Sequence, residues 1–186
     1  MDENKITEES TFKDIPLYRF SVEHAVEAGE LPEYRESYRA NLKCKQAIAE
    51  GIGSHYADNR LDTESIYADV TKKFSKERVA HVLAVTVRNL DSDGRISDEN
   101  KKWARTVPAI SDKDSWGQDR TRILVISSAH IGLVDLFVTR FRNKLAREAE
   151  LPQKKPSVLN KLRSAAEKNA VGHTTGSKSI ARESEL

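Results

Sequence analysis

Apolar residues recur along most of this chain at helical spacing, and the residues that interrupt the rhythm mark where each helix starts and stops. Leu17, Phe20, Val22 and Val26 predict a short amphipathic helix closed by Gly29. Glu30-Leu31-Pro32 opens the longest one, in which Leu31, Tyr34, Tyr38, Leu42, Ala49 and Ile52 share a stripe with Cys44 and Ile48 beside it. Gly51 and Gly53 weaken that pattern, so the helix is expected to end near His55. Asp62 predicts the cap of a third helix carrying Ile66, Val70 and Phe74, and Ser75 the cap of a fourth. The fourth has the cleanest face of all: Val79, Val82, Leu83, Thr86, Val87 and Leu90. Its β-branched residues leave a strand reading open, but its length favours a helix.

Further on, Ser97 can cap a short helix whose first turn holds Asp98 and Glu99, suited to the positive end of the dipole, with Trp103 facing inward. Pro108 ends it, and residues 111–120 read as a polar loop containing Trp116. Residues 121–127 form an apolar, β-branched run with no partner in sight, either a lone buried strand or an extended connector. A last helix over residues 129–150 places Leu133, Phe137, Phe141 and Leu145 inward, with Val134, Leu136 and Val138 widening the face. The sum is a mainly α fold: a single helical domain of five to six helices with at most one or two short strands, over residues 17–150. A flexible acidic N-terminus (residues 1–16) and a disordered basic tail (residues 151–186) flank it, the tail holding one transient helix near 158–166. There is no internal repeat.

Composition supports one modest core with polar flanks, since 38% of residues are hydrophobic and 32% charged in a chain of 186. The net charge of +2 is unevenly spread: residues 1–16 hold two basic and five acidic side chains, residues 151–186 seven basic and three acidic. Wholesale electrostatic binding of nucleic acid is therefore not implied, and any such contact must be local. A single cysteine, no apolar leader and no run long enough to span a bilayer point to a cytoplasmic protein.

Candidate chemistry gathers at Asn89-Leu90-Asp91-Ser92-Asp93-Gly94, the start of a twelve-residue stretch between two helices. With Gly94 at the sixth position, Asn89, Asp91 and Asp93 occupy the first three ligand positions of a calcium loop and become the candidate metal ligands. The twelfth position is Asn100, where that loop needs a bidentate glutamate. A sharp turn, with Gly94 at positive φ and Asp93 forming an Asx turn, is the simpler reading, and no metal or other cofactor is expected. Asp91 or Asp93 with Glu99 and Lys101 also resembles the acid-and-lysine set of a metal-dependent nuclease, although such sets usually sit on strands. His130 precedes the last helix with no serine or cysteine nucleophile nearby, so His130, Asp91, Asp93 and Glu99 are the catalytic candidates in a chain read as a non-enzyme. For partner or nucleic-acid contact, Arg140, Lys144 and Arg147 recur at i, i+4, i+7, Lys154 and Lys155 extend the same sign, and Arg95 stands in the turn.

Four segments carry a likeness: Gly29-Glu30-Leu31-Pro32 on to Ile48, Glu77-Arg78-Val79 on to Val87, Asp93-Gly94-Arg95 on to Ala104, and Ser128-Ala129-His130 on to Val138. In order and spacing they resemble the domain-of-unknown-function family three-eight-four-nine of Firmicute mobile genetic elements, over residues 17–147. Members often have Ser-His-Pro-Gly where this chain reads Ala129-His130-Ile131-Gly132, and commonly lack the acids of the turn. The resemblance implies a setting rather than a chemistry. An accessory protein of a mobile element faces restriction and CRISPR nucleases, so the expected role is counter-defence, as a binding inhibitor of a Cas9-type or restriction nuclease. Its expected partner is a protein or ribonucleoprotein such as a guide-loaded nuclease, with RNA or DNA contact and no membrane role. The alternatives are a nucleic-acid-binding or regulatory module of element maintenance and, third, a metal-dependent enzyme that shortens guide RNA.

Overall fold

The computed structural model describes residues 12–113, 116–127 and 130–150. Among these, six α-helices and one hairpin form the mainly α fold that the periodicity predicts. They are α1 (Val22–Ala28), α2 (Leu31–Ser54), β1 (Tyr56–Ala57), β2 (Arg60–Leu61), α3 (Thr63–Lys73), α4 (Lys76–Asn89), α5 (Asp98–Thr106) and α6 (Ile131–Glu150). One compact unit reaches to residue 146; residues 147–150, the end of α6, belong to a second, and no described helix is long and apolar enough to cross a membrane. The expected helix near 158–166, Lys154 and Lys155 lie outside the described residues.

At the centre stands α4. From Arg78 to Val87 every residue except the half-buried Ala80 is buried, with α2, α3, α5 and a 3-10 turn at Arg120–Leu124 packed around it. A helix enclosed on all sides has no solvent face to populate with polar residues, which is why its sequence is rich enough in valine to suggest a strand. Phe141 of α6 is 5.7 Å from the Tyr67 ring and 6.5 Å, edge-on, from Trp103, which confirms the inward tryptophan. Where α2 crosses α3, a side chain at Gly51 would approach Ile66 to 3.0 Å, so the glycine that weakens the sequence pattern permits the crossing.

Several local expectations need correction. The first helix begins at Val22, because Ser21 Oγ accepts the His24 amide and caps it there, while Gly29 closes it at φ 74° as expected. Order starts before residue 17: Phe12 stacks on Phe74 at 5.4 Å, so residues 12–16 belong to the fold. Asp58 and Asn59, both at positive φ, form the two-residue turn that favours a hairpin, and β1 and β2 pair across it. Residues 121–127 are neither strand nor plain connector. Lacking a partner strand, their amides bond locally and to side chains: Val125 to the Arg122 carbonyl, Thr121 to Asp119 and Ile126 to the buried Thr86 hydroxyl. On α6, Leu136 is 55% exposed and does not widen the core face.

Arg78 is completely buried and has no hydrogen-bonded carboxylate among the described residues. One of its terminal nitrogens donates to the Ser37 carbonyl (2.8 Å) and to Asn41 Oδ1 in α2, the other to the carbonyls of Ile15 (2.9 Å) and Pro16 (3.0 Å). Exchanging it for a side chain of similar reach without donors leaves those oxygens buried and unpaired. Arg78→Met is expected to lower the unfolding free energy in urea by about 3 kcal/mol, against less than about 0.5 kcal/mol for Leu136→Ala. Equal stability of the Arg78 variant and wild type would show that the cage contributes nothing.

Candidate functional site

The turn between α4 and α5 is built as a joint. Asn89 is the last residue of α4 and gives its amide to the Val85 carbonyl at 2.9 Å. Asp91 faces Arg105 at 3.3 Å. Asp93 accepts the Arg95 backbone N–H (2.9 Å), the expected Asx turn, and is gripped by the same residue's guanidinium at 3.0 and 2.8 Å. Those hydrogen bonds from Arg95 hold the Asp93 carboxyl at about 2. Gly94 does not take positive φ, contrary to expectation, because the Asx turn already reverses the chain. The acids thus have arginine partners, and no group of three or more His, Cys, Asp or Glu among the described residues could hold a metal.

Ser97 occupies the capping position of α5 without capping it through its side chain. Its hydroxyl and amide both donate to Asp135 Oδ1 in α6, at 3.1 and 3.0 Å, and Asn100 Nδ2 reaches the same oxygen at 2.7 Å and Thr139 Oγ1 at 2.8 Å. A carboxylate oxygen outcompetes the helix end for these donors. Glu99 remains an exposed residue of the first turn.

The basic face of α6 is likewise engaged within the molecule. Arg140 and Lys144 both pair with Glu64 of α3, and Lys144 Nζ lies 4.4 Å from the centre of the Tyr67 ring. They fasten α6 to α3 rather than standing free for a partner. Arg147 is exposed in the second unit. His130 is exposed with its ring 6.2 Å from Tyr56, and Cys44 is fully buried, its thiol pushed up to about 12 by burial, an inert core residue.

What the periodicity did not reveal is a cleft lined by Tyr18, Phe20, Tyr34, Tyr38, Asp112 and Arg120. Tyr34 and Tyr38, one turn apart on α2, stack at 6.0 Å; Tyr18 meets Tyr34 edge-on at 5.8 Å, and the Arg120 guanidinium lies 5.8 Å from the Tyr38 ring centre. Beneath them Asp112 is buried and fully used. It accepts the Tyr34 hydroxyl at 2.5 Å and the Val22 amide at 3.3 Å, while its carbonyl accepts the Arg120 amide at 2.8 Å. Burial, and then the bond to Asp112, raise the Tyr34 hydroxyl above its ordinary pKa. The cleft encloses only about 30 Å³, room for one water, so it is a contact surface rather than a container. At its edge Tyr18 donates to Glu30 at 2.9 Å. Tyrosines at i, i+4 with aliphatic neighbours read as core, so the sequence signal for this surface was ambiguous.

Behind the cleft lies His81, 2% exposed, whose ring hydrogen-bonds no described residue and whose Nδ1 is wholly enclosed. Burial foremost, then the charges of Arg88 and Arg78, hold its pKa down at about 4. Arg88, like Arg78, donates to neutral oxygens, the carbonyls of Ala104 (2.5 Å) and Val107. His81 also lines a second cavity of about 340 Å³.

A family model described as a protein of unknown function (DUF3849) matches residues 17–146. No curated protein and no solved structure matches the chain.

The depressed pKa of His81 sets a pH dependence. Between about pH 6.5 and 4 the unfolded chain takes up a proton that the folded one refuses, so stability that is complete above pH 6.5 falls as pH falls through this window. Urea unfolding at about pH 7 and pH 5 is expected to show a loss about 2 kcal/mol greater in wild type than in His81→Gln. Identical losses in the two proteins would place the ring in solvent.

Proposed function

The chain belongs to the DUF3849 family of proteins of unknown function, and on that premise we propose that it is a cytoplasmic binding protein that docks a protein partner on the tyrosine and arginine cleft. In the mobile-element setting that the resemblance implies, the partner is a Cas9-type or restriction nuclease, and docking inhibits it. The observation that carries this reading is the fixed array of Tyr18, Tyr34, Tyr38 and Arg120 over a buried, fully bonded Asp112. Tyrosine and arginine dominate the energetics of protein interfaces, and rings already locked in place lose little freedom on binding. Trp116 and Ile123, on either side of Arg120 in the chain, are 86% and 52% exposed.

Rings with an arginine also suit single-stranded nucleic acid. The rim argues for protein instead: Glu30 and Glu33 act on Tyr18 electrostatically, and such acids repel a phosphate backbone. For the enzyme reading, Asp91 and Asp93 are each paired with an arginine, Arg105 and Arg95.

Pull-down with guide-loaded and empty effector, together with a DNA-cleavage assay, tests the proposal. Tyr38→Ala and Arg120→Ala are each expected to weaken capture and inhibition about tenfold or more with melting unchanged, while Arg95→Ala leaves both intact. No capture and no inhibition across several effectors would sink the counter-defence role. A mobility shift of RNA or DNA without any effector, weakening with salt, would instead support the regulatory module.

A further inference from the structure

The 340 Å³ cavity on the far side of His81 falls at the small end of ligand pockets, and its chemistry is one-sided. Leu17, Ala80, Val107, Pro108, Ala109 and Ile110 give it aliphatic walls. At the mouth Arg19 and Glu77 neutralise each other in an ion pair, and the Thr106 hydroxyl is spent on the Trp103 carbonyl. That leaves His81 as the polar side chain on the wall without a hydrogen-bond partner.

The charge behind this wall is positive. Arg88 donates to the carbonyl of Val107, a wall residue, and Arg78 sits one helical turn before His81; both guanidiniums are met by neutral oxygens, with no hydrogen-bonded carboxylate to cancel them. In a poorly solvated interior such charge is weakly screened and draws an anion more strongly than it would in water. Asp112 lies on the other side, in the cleft, already committed to Tyr34 and Val22.

We infer that this cavity is a binding site for a small organic monocarboxylate with an apolar body, its carboxylate accepting an N–H at Nε2 of the His81 imidazole, the ring nitrogen that is not enclosed, and facing the positive charge of Arg78 and Arg88, its body against the aliphatic walls. Neutral imidazole suffices, in the tautomer that carries its N–H at Nε2. This site does not depend on the partner proposed for the cleft.

Benzoate and benzamide, alike in size and different in charge, are the probes. The full chain, labelled with ¹⁵N at histidine, is titrated with each, and the ring signals of His81 are assigned by their absence in His81→Gln. Saturable shifts of the His81 signals are expected, with benzoate binding about tenfold more tightly than benzamide. Ala109→Trp, at an exposed wall position, is expected to abolish both without changing the melting temperature. Equal affinity of the two probes would overturn the charge argument. Unaltered benzoate binding in Ala109→Trp, or shifts confined to other histidines, would overturn the location, and the absence of saturation by about 10 mM in wild type would overturn the site.

Discussion

A buried guanidinium whose two terminal nitrogens are met by neutral oxygens is the constraint around which this fold is arranged. Arg78 sits in a helix enclosed on every side, so its charge cannot reach water, and the structure must bring acceptors to it. Three come from α2, two of them on Ser37 and one on Asn41 four residues on, and two are carbonyls of the segment before α1. The arginine therefore fixes the facing of α2 against α4 and draws residues 12–16 in, where Phe12 closes over Phe74. Hydrophobic packing alone would tolerate α2 turned by some degrees; five hydrogen bonds from one planar group would not.

The same anchoring places the cleft. Ser37, whose carbonyl and hydroxyl both accept from Arg78, also accepts the Tyr18 amide at 2.9 Å, so the chain leaving the arginine is guided along α2 and lays Tyr18 against Tyr34. Tyr34 in turn holds Asp112, which positions Arg120 through its carbonyl and accepts the first amide of α1, that of Val22. A line of contacts thus runs from a buried charge to an array of rings at the surface, in which Tyr34 is buried and Tyr18 and Tyr38 are half-buried. That array is rigid because its supports are core groups, which is the property a binding surface needs if affinity is not to be lost to ordering.

Helix boundaries were legible in the chain because caps are local: Ser21, Asp62 and Ser75 each bond an amide two or three residues on, and Gly29 takes a left-handed conformation that favours glycine. What periodicity hid were polar residues on buried faces. Arg78, His81, Ser37 and Asn41 fall within apolar stripes, and spacing alone cannot say that they meet across helices. The segments that carry the family resemblance make sense in these terms. The first and second join through Ser37, Asn41 and Arg78, the third and fourth through Ser97, Asn100 and Asp135. The stretch that looked most like a calcium loop belongs to the second of these joints. Its acids were misleading because a list of ligand types does not register that Arg95 and Arg105 lie close enough to take them.

The two joints differ in a way that bears on function. At Asp135 the charge is an anion met by three donors, which locks α5 to α6. Around Arg78 and Arg88 the charges are cations met by carbonyl dipoles, and beside them His81 has been left with its hydrogen-bonding capacity unused. A buried imidazole without a partner costs about 1–3 kcal/mol, a loss that a mutation to leucine or valine at that helix position would remove. Proteins that retain such a group gain stability when something binds it, because any species that contacts only the folded form shifts the folding equilibrium toward it. The interior around His81 is thus underbonded and positive, whereas the surface rings above it are fully supported. One side of His81 is built to present a fixed face, and the other has capacity to receive.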